Sequence, residues 1–530
     1  MQMSTADHSV KPPLVTIPRR YNAAHDLLMR NWDRPNKTAF INASSGEKLS
    51  FAELDQQAHI FANYLRSQGF VPESRVMLAM LDTPQWPVVF LGCILAGVVP
   101  VAVNTMLTGA DFDYMLHDSR AQGLVVSNSL LAAFEVALKN RPPLRALIVA
   151  DSIEVDQEAN HSNLETILKG SSGERLVMDS CADDVCFWLY SSGSTGAPKG
   201  TLHLHSHMLQ TAELYGRGVL GVCESDVTYS AAKLFFAYGL GNGLSFPLSV
   251  GATTLLLPGR PTAQQVFQLL EKYQPSIFYG VPTLYASLLA EPNQPNSSQL
   301  KLRLCASAGE PLPAEIGKKW RAQFGCDILD GIGSTEMLHI FLSNTPGHVR
   351  YGSTGQAVPG YRLRIVGDDG LECVDGEIGE LQINGPSAAL MYWNNREKTK
   401  TTFAGEWTRS GDKYTRSADG FYTYGGRSDD MLKVGGIYVS PFEVEASLMT
   451  HAAILEAAVI GVMDKDQLVK PKAYVVLKSG HSASEEELKL HVKQQLAAYK
   501  YPRWIEFLTE LPKTATGKIQ RFKLRQSDQK

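Results

Sequence analysis

The chain has 530 residues, more than one ordinary hydrophobic core accommodates, so two or more domains are expected. With 44% apolar and 20% charged residues it reads as a globular enzyme. A formal charge of −4 excludes global attraction to nucleic acid or an anionic membrane. The seven cysteines show no C-x-x-C or zinc spacing and read as reduced, mostly buried thiols of a cytoplasmic protein.

Residues Met1 to about Arg20 are polar and proline-containing, and predict an irregular arm without the pattern of a secretory leader. Tyr21–Asn31 predicts a helix, and Ala39–Ile41 with Lys48–Ser50 flank Ser44-Ser45-Gly46 as a hairpin. Leu54, Ala58, Phe61, Ala62 and Leu65 recur at helical spacing within Phe51–Gln68. Arg75–Met80 predicts a strand. Trp86 to Val103 carries no charge, but Pro87, Pro100, Gly92 and Gly97 argue against a membrane span. A buried helix to about Ala96, a turn at Gly97 and a strand Val98–Val103 fit better. From there to Leu257 short apolar strands alternate with helices, which predicts a parallel α/β sheet covered on both faces.

Val185–Leu189 predicts a buried strand, and it leads into a loop dense in hydroxyls and glycines. The loop holds Ser191, Ser192, Gly193, Ser194, Thr195 and Gly196, and ends at Lys199. Glycines let backbone N–H groups converge on an anion, hydroxyls add donors, and lysine adds charge. The stretch therefore reads as a phosphate cradle, although a flexible surface loop has the same composition. The G-x-x-x-x-G-K-[ST] spacing is absent. Nearly letter for letter, Tyr190–Gly200 resembles the phosphate loop of the adenylate-forming superfamily of acyl-CoA synthetases, adenylation domains and luciferases. Further motifs follow in the order that family has.

Two stretches carry less. Gly216–Gly221 matches G-x-G-x-x-G but follows a helical segment, so a dinucleotide fold is not expected there. His203, His205 and His207 alternate like metal ligands on one strand face, yet no carboxylate or cysteine lies nearby in sequence, and packing is favoured.

Lys233–Gly241 reads as a buried helix start. The resemblance implies that Phe236, Ala237 and Tyr238 wall an acyl pocket. Ile277–Pro282 predicts a strand and a proline-stopped turn. Leu302–Ala306 predicts a strand leading to Ala308, Gly309, Glu310 and Pro311, which by resemblance lie along adenine. Ile328–Glu336 repeats this strand-then-loop pattern through Asp330, Gly331, Ile332 and Gly333. Thr335 can donate to a phosphate, and the hard carboxylate oxygen of Glu336 suits Mg²⁺. The family commonly has tyrosine where Ile332 stands, so aromatic stacking on adenine is lost at that position. Asp412, after a glycine, reads as a turn aspartate or, by resemblance, as the acceptor of both ribose hydroxyls.

Gly426–Gly436 marks a boundary, after which the pattern becomes compact α+β. The expected organisation is a large N-terminal α/β domain, 1–428, and a small mobile C-terminal α+β domain, 429–530. Val444–Leu448, Ala457–Val462, Ala473–Leu477 and Glu485–Leu496 supply the helices and strands of the latter. By resemblance Arg427 contacts ribose, Asp429 is the hinge, Gly435 and Gly436 line the CoA channel, and Lys518 in Leu511–Ile519 is the catalytic lysine.

The reaction implied is activation of a carboxylate by ATP, with acyl transfer to CoA. Phe235–Gly239 and Asp330–Phe341, including His339, look most like the benzoate-CoA ligase branch, in aromatic acid breakdown. No acidic residue in Lys233–Gly243 is present to meet a substrate amino group. The rivals are a short- or medium-chain acyl-CoA synthetase, a free-standing adenylation enzyme that loads a carrier protein, and a non-catalytic binding protein. The resemblance also implies a homodimer and a lysine acetyltransferase acting on Lys518.

Overall fold

The computed structural model describes residues 1–139, 143–151, 161–170, 174–193, 196–427, 430–434, 437–465, 468–497, 499–513 and 519–528. Among them two large sheets dominate. One has eight strands, ordered Met391–Tyr392, Gly196–Leu204, Val185–Gly193, Val99–Ala102, Arg75–Ala79, Gly123–Ser127, Ala146–Ala150, Ser162–Asn163. The other has nine, ordered Gln356–Ala357, Ile340–Ser343, Ile328–Gly333, Leu304–Ser307, Ile277–Gly280, Val227–Ser230, Thr253–Leu256, Thr38–Asn42, Lys48–Ser50.

The central strands of both sheets pair in parallel. Their sequences explain this. Gly123–Ser127 and Val99–Ala102 are buried at every position, the continuous apolar run of a strand covered on both faces. The uncharged segment after Trp86 is a core helix: Gln85–Leu95 buries every residue but Gln85. No helix among the described residues is long and apolar enough to cross a membrane. Beside it runs Phe51–Ser67, started by a capping box between Ser50 and Glu53.

Arg362–Val366, Gly379–Asn384, Trp407–Arg416 and Tyr422–Arg427 build an antiparallel sheet. The C-terminal part has its own sheet, with Ile454–Met463 antiparallel to Val469–Leu477 and Trp504–Phe507 parallel to the latter. Helices Pro441–Met449 and Glu485–Gln495 cover it around Val444, Leu448, Val459, Val475 and Leu488.

Three expectations need correction. The N-terminal arm is not irregular throughout, since Thr5–Asp7 pairs with Leu14–Thr16, and Ser4 and His8 bond Asp26 and Glu213. Pro282 does not stop a turn. It begins the helix Pro282–Ala290, where its missing N–H costs nothing and Tyr285 and Leu288 gain burial. The strand at Val185 does not end at Leu189 but runs to Gly193 and returns as Gly196–Leu204. The thiol expectation holds for Cys93, Cys186, Cys305 and Cys326, which are buried and free, whereas Cys223 is exposed.

Candidate functional site

A cavity of about 1090 Å³ opens where the two large sheets, the antiparallel sheet and the C-terminal part meet. The hairpin Val185–Gly193/Gly196–Leu204 delivers Ser191 opposite Lys199 in strand register. Both line the cavity, and the Ser191 hydroxyl is buried with no partner among the described residues. A buried donor without a partner is costly, so it marks a place for an acceptor from outside the chain. Burial lowers the basicity of Lys199, Glu336 raises it, and Lys398 and Arg427 lower it again. This end of the cavity is rich in positive charge.

Thr335 and Glu336 sit on a short turn after Ile328–Gly333, capped by Ser334, whose hydroxyl accepts the Met337 N–H at 3.1 Å. The Tyr392 hydroxyl donates to Glu336 Oε1 at 2.6 Å, and Ala389 N–H donates to the Glu336 carbonyl at 2.7 Å. Among the described residues no three His, Cys, Asp or Glu side chains gather into a metal site. The alternating histidines do not converge either. His203 Nδ1 lies 3.1 Å from His207 Nδ1, while His205 accepts the Ala23 N–H at 3.1 Å. His203 is nonetheless placed at the site, because its Nε2 is 2.8 Å from the Thr335 carbonyl, which it meets as donor.

At the other end, Gly309, Glu310, Pro311, Asp330, Gly331, Ile332 and Gly333 line the cavity, with Ala308 buried behind them. Gly309 has φ 95°, a left-handed conformation that favours glycine. Asp330 is buried, with Oδ1 unpartnered among the described residues. Burial pushes its carboxyl up to about 7, opposed by the N–H groups of Leu312 and Gly331. Asp412 and Arg427 are cross-strand partners that line the same space, with Arg427 Nη1 3.3 Å from Asp412 Oδ1.

Phe236, Ala237, Tyr238 and His339 are not in that lining. Tyr238 and His339 form an aromatic cluster with Tyr215 and Phe246 beside Ile332, whereas Phe236 packs on Phe235 and, with Ala237, belongs to a separate core. The His339 ring centroid lies 4.5 Å from Phe246 and 5.5 Å from both Tyr238 and Tyr215. Burial holds His339 down at about 3, and the Tyr238 carbonyl opposes it, so the ring is neutral at pH 7. Its Nε2 lies 3.2 Å from that carbonyl and serves as the donor. A neutral His339 has no charge with which to polarise a neighbouring group.

Ser194, Thr195, Asp429, Gly435, Gly436 and Lys518 lie outside the described residues, as do the side chains of Ser192, Gly193 and Gly196. The flanks of Lys518 bracket the cavity, since Lys513 and Ile519 both line it. Residues not foreseen from sequence are Tyr392, Trp393 and Lys398 in the lining, and His203 behind Thr335. Tyr392 and Trp393 are adjacent aromatic residues in the sequence, and such residues read as core packing when their partners are unknown.

Two family models match, AMP-binding enzyme over residues 30–393 and AMP-binding enzyme C-terminal domain over 443–518. The chain is 56% identical to a benzoate–CoA ligase of Thauera aromatica, over 99% of both chains. It is 49% identical to a 4-hydroxybenzoate–CoA/benzoate–CoA ligase of Rhodopseudomonas palustris, over 96% of this chain and 94% of the relative. Its fold matches a crystal structure of a benzoate CoA ligase from Burkholderia xenovorans LB400 with a TM-score of 0.89 and 52% identity. That match covers 95% of this chain and all of the other. With both models matched in order along one continuous cavity, the chain belongs to the AMP-binding enzyme family.

Proposed function

We propose that this chain is an ATP-dependent benzoate–CoA ligase, converting benzoate, ATP and CoA to benzoyl-CoA, AMP and pyrophosphate through benzoyl-adenylate. The observation that carries the reading is the convergence of Ser191, Lys199, Thr335, Glu336, Asp412 and Arg427 on one cavity from separate segments. The names of the relatives support the aryl substrate.

A carboxylate cannot expel oxide, so it is first joined to a better leaving group. One benzoate oxygen forms a bond to the α-phosphorus of ATP as the bond to pyrophosphate breaks. Negative charge accumulates on phosphate oxygens, and catalysis rests on positioning and fixed positive charge. The Ser191 hydroxyl, residues 192–196 and Lys199 hold the β- and γ-phosphates. The Thr335 hydroxyl donates to a phosphate oxygen. The Glu336 carboxylate, on the wall that Lys199 also lines, fits a divalent ion, and bound Mg²⁺ would neutralise phosphate charge there. Asp412 accepts the ribose hydroxyls, with Arg427 beside it. The segment 308–311 and Asp330–Ile332 flank adenine. Lys518 brings a compact cation between the carboxylate and the α-phosphate.

In the second step the CoA thiolate forms a bond to the acyl carbon, and AMP leaves with the electron pair of the broken C–O bond. Rotation of 429–530 about Asp429 against 1–428 brings Gly435 and Gly436 to the thiol path. The acyl ring lies by Phe236, Ala237, Tyr238, Ile332, Gly333 and His339, where aromatic contact contributes roughly 0.5–1.5 kcal/mol. We further propose a cytoplasmic homodimer whose Lys518 is silenced by acetylation, which removes its charge. Unchanged activity after stoichiometric acetylation of Lys518 would remove that part.

The test is AMP release with ATP and Mg²⁺ on benzoate or hexanoate, each with and without CoA. CoA-dependent turnover on benzoate far above hexanoate is expected. Strong hexanoate turnover would move the chain to the aliphatic synthetases. Pyrophosphate exchange with no CoA-stimulated release would indicate an enzyme that loads a carrier protein.

A further inference from the structure

We infer that Tyr392 is a positioning residue that sets both charged groups at the phosphate end of the cavity, holding Glu336 by its hydroxyl and Lys199 on its ring face. The inference rests on the ligase reading and adds a residue to it. The Tyr392 hydroxyl donates to Glu336 Oε1 at 2.6 Å, and the Lys199 ammonium stands 4.6 Å from the centre of the Tyr392 ring. One aromatic side chain thus touches the carboxylate suited to a divalent ion and the cation suited to the phosphates. A hydrogen bond to an ionised acceptor is stronger than a neutral one, and a partly desolvated ammonium gains from a ring face.

The backbone explains why this tyrosine is where it is. Thr201 and Leu202, just beyond Lys199, pair in register with Tyr392 and Met391. Trp393 N–H donates to the Gly200 carbonyl at 2.8 Å, and Tyr392 N–H donates to Thr399 Oγ1 at 3.1 Å. The same segment reaches Glu336 from its other side, through the bond from Ala389 N–H to the Glu336 carbonyl. Residues 389–393 therefore tie the turn that carries Glu336 to the strand that carries Lys199. The Tyr392 ring is fixed against Phe403 at 5.4 Å between centroids. A tyrosine needed only to fill space would not require its hydroxyl on a carboxylate that lines the cavity.

The experiment uses the full chain with Tyr392→Phe, which keeps the ring, and Tyr392→Leu, which removes ring and hydroxyl. Mn²⁺ binding in the presence of ATP is followed by electron paramagnetic resonance. Pyrophosphate affinity, the Mg²⁺ half-saturation of ATP–pyrophosphate exchange and the benzoate KM are measured alongside. For Tyr392→Phe, Mn²⁺·ATP binding is expected to weaken about 10-fold and Mg²⁺ half-saturation to rise by a like factor. Pyrophosphate affinity without metal and the benzoate KM should stay within about 2-fold of wild type. Tyr392→Leu should additionally weaken metal-free pyrophosphate binding about 3-fold or more. Wild-type Mn²⁺·ATP affinity in Tyr392→Phe would overturn the inference. So would equal loss of metal, pyrophosphate and benzoate in that variant, which signals general disruption. A wild-type chain that binds no Mn²⁺·ATP would instead overturn the ligase reading and this inference with it.

Discussion

The backbone N–H of Ile519 donates to Glu310 Oε1 at 3.0 Å, across the cavity from the C-terminal part to the segment after Leu304–Ser307. Ile519 directly follows the proposed catalytic lysine, Lys518, in the sequence. Glu310→Ala should slow benzoyl-adenylate formation about 10-fold, the usual worth of a hydrogen bond to a charged group. Thioester formation from preformed benzoyl-adenylate should be spared. Rapid-quench measurement of each half-reaction checks this, and equal slowing of both would place Glu310 in a general structural role.

Lys518→Ala should cut adenylate formation by about 10²-fold or more, because it removes a preorganised charge from the reacting phosphate. The assay is benzoate-dependent ATP–pyrophosphate exchange. A near-normal exchange rate would end the assignment.

Asp429→Pro restricts backbone rotation at the proposed hinge. Adenylation should continue while benzoyl-CoA formation falls. Single-turnover assays on each step separate them, and equal loss of both would argue against a hinge there.

Gly241 faces the aromatic cluster with no room to spare, since a Cβ at this position would stand 2.3 Å from His339 Cδ2. Gly241→Ala must displace the His339 ring. A rise in benzoate KM of about 10-fold is expected with the ATP KM unchanged, in line with a methylene-sized change in an apolar pocket. Unaltered benzoate kinetics would detach His339 from the ring site.

Acid should destabilise the protein between pH 6.5 and 4 through its buried histidines. Burial lowers His205 to about 4, opposed by Asp184, and lowers His203 to about 4, opposed by the Thr335 carbonyl and Glu336. In the unfolded chain both titrate near the ordinary value of about 6.5. Below that pH the unfolded state binds protons that the folded state refuses, so stability falls as pH drops and is fully present above 6.5. Each contributes up to roughly 3 kcal/mol by pH 4. Asp82, which burial raises to about 6 against Lys233 and the Leu234 N–H, acts with the opposite sign over about pH 4–6. Melting temperature against pH tests this, and His205→Gln should flatten the slope. An unchanged slope would mean that His205 is protonated in the folded protein.

The hydroxyl- and glycine-rich stretch ending at Lys199 and the Thr335–Glu336 turn stood out as candidates because their donors and acceptors lie within a few residues of a glycine or strand end. Asp412 and Arg427 stood out only by resemblance, because a turn aspartate has the same local sequence and their pairing spans 15 residues. Tyr392 was not legible, because its meaning comes from Glu336, 56 residues earlier, and an aromatic residue with no known partner reads as core. The N-terminal arm failed for a related reason. Its strands have three residues each, too few to display a period, and its bonds to Asp26 and Glu213 are distant in sequence. Pro282 shows a third limit: the same proline ends a strand turn or opens a helix, and only burial of Tyr285 and Leu288 decides. The parallel sheets were visible in outline because buried central strands are apolar at consecutive positions, whereas edge strands such as Met391–Tyr392 are too short to register.

The core helix Gln85–Leu95 also has a history during synthesis. Its Phe90 packs on Phe187, with ring centroids 5.6 Å apart, and its neighbours in the finished core include Leu234 and Leu240. Phe187 leaves the ribosome 97 residues after Phe90, roughly 5–20 s later at ordinary elongation rates. Through that interval an uncharged, strongly apolar segment waits for the strand that will cover it. Translation speed and holding chaperones, rather than the equilibrium stability of the finished protein, should therefore govern how much of this chain is recovered intact from a cell.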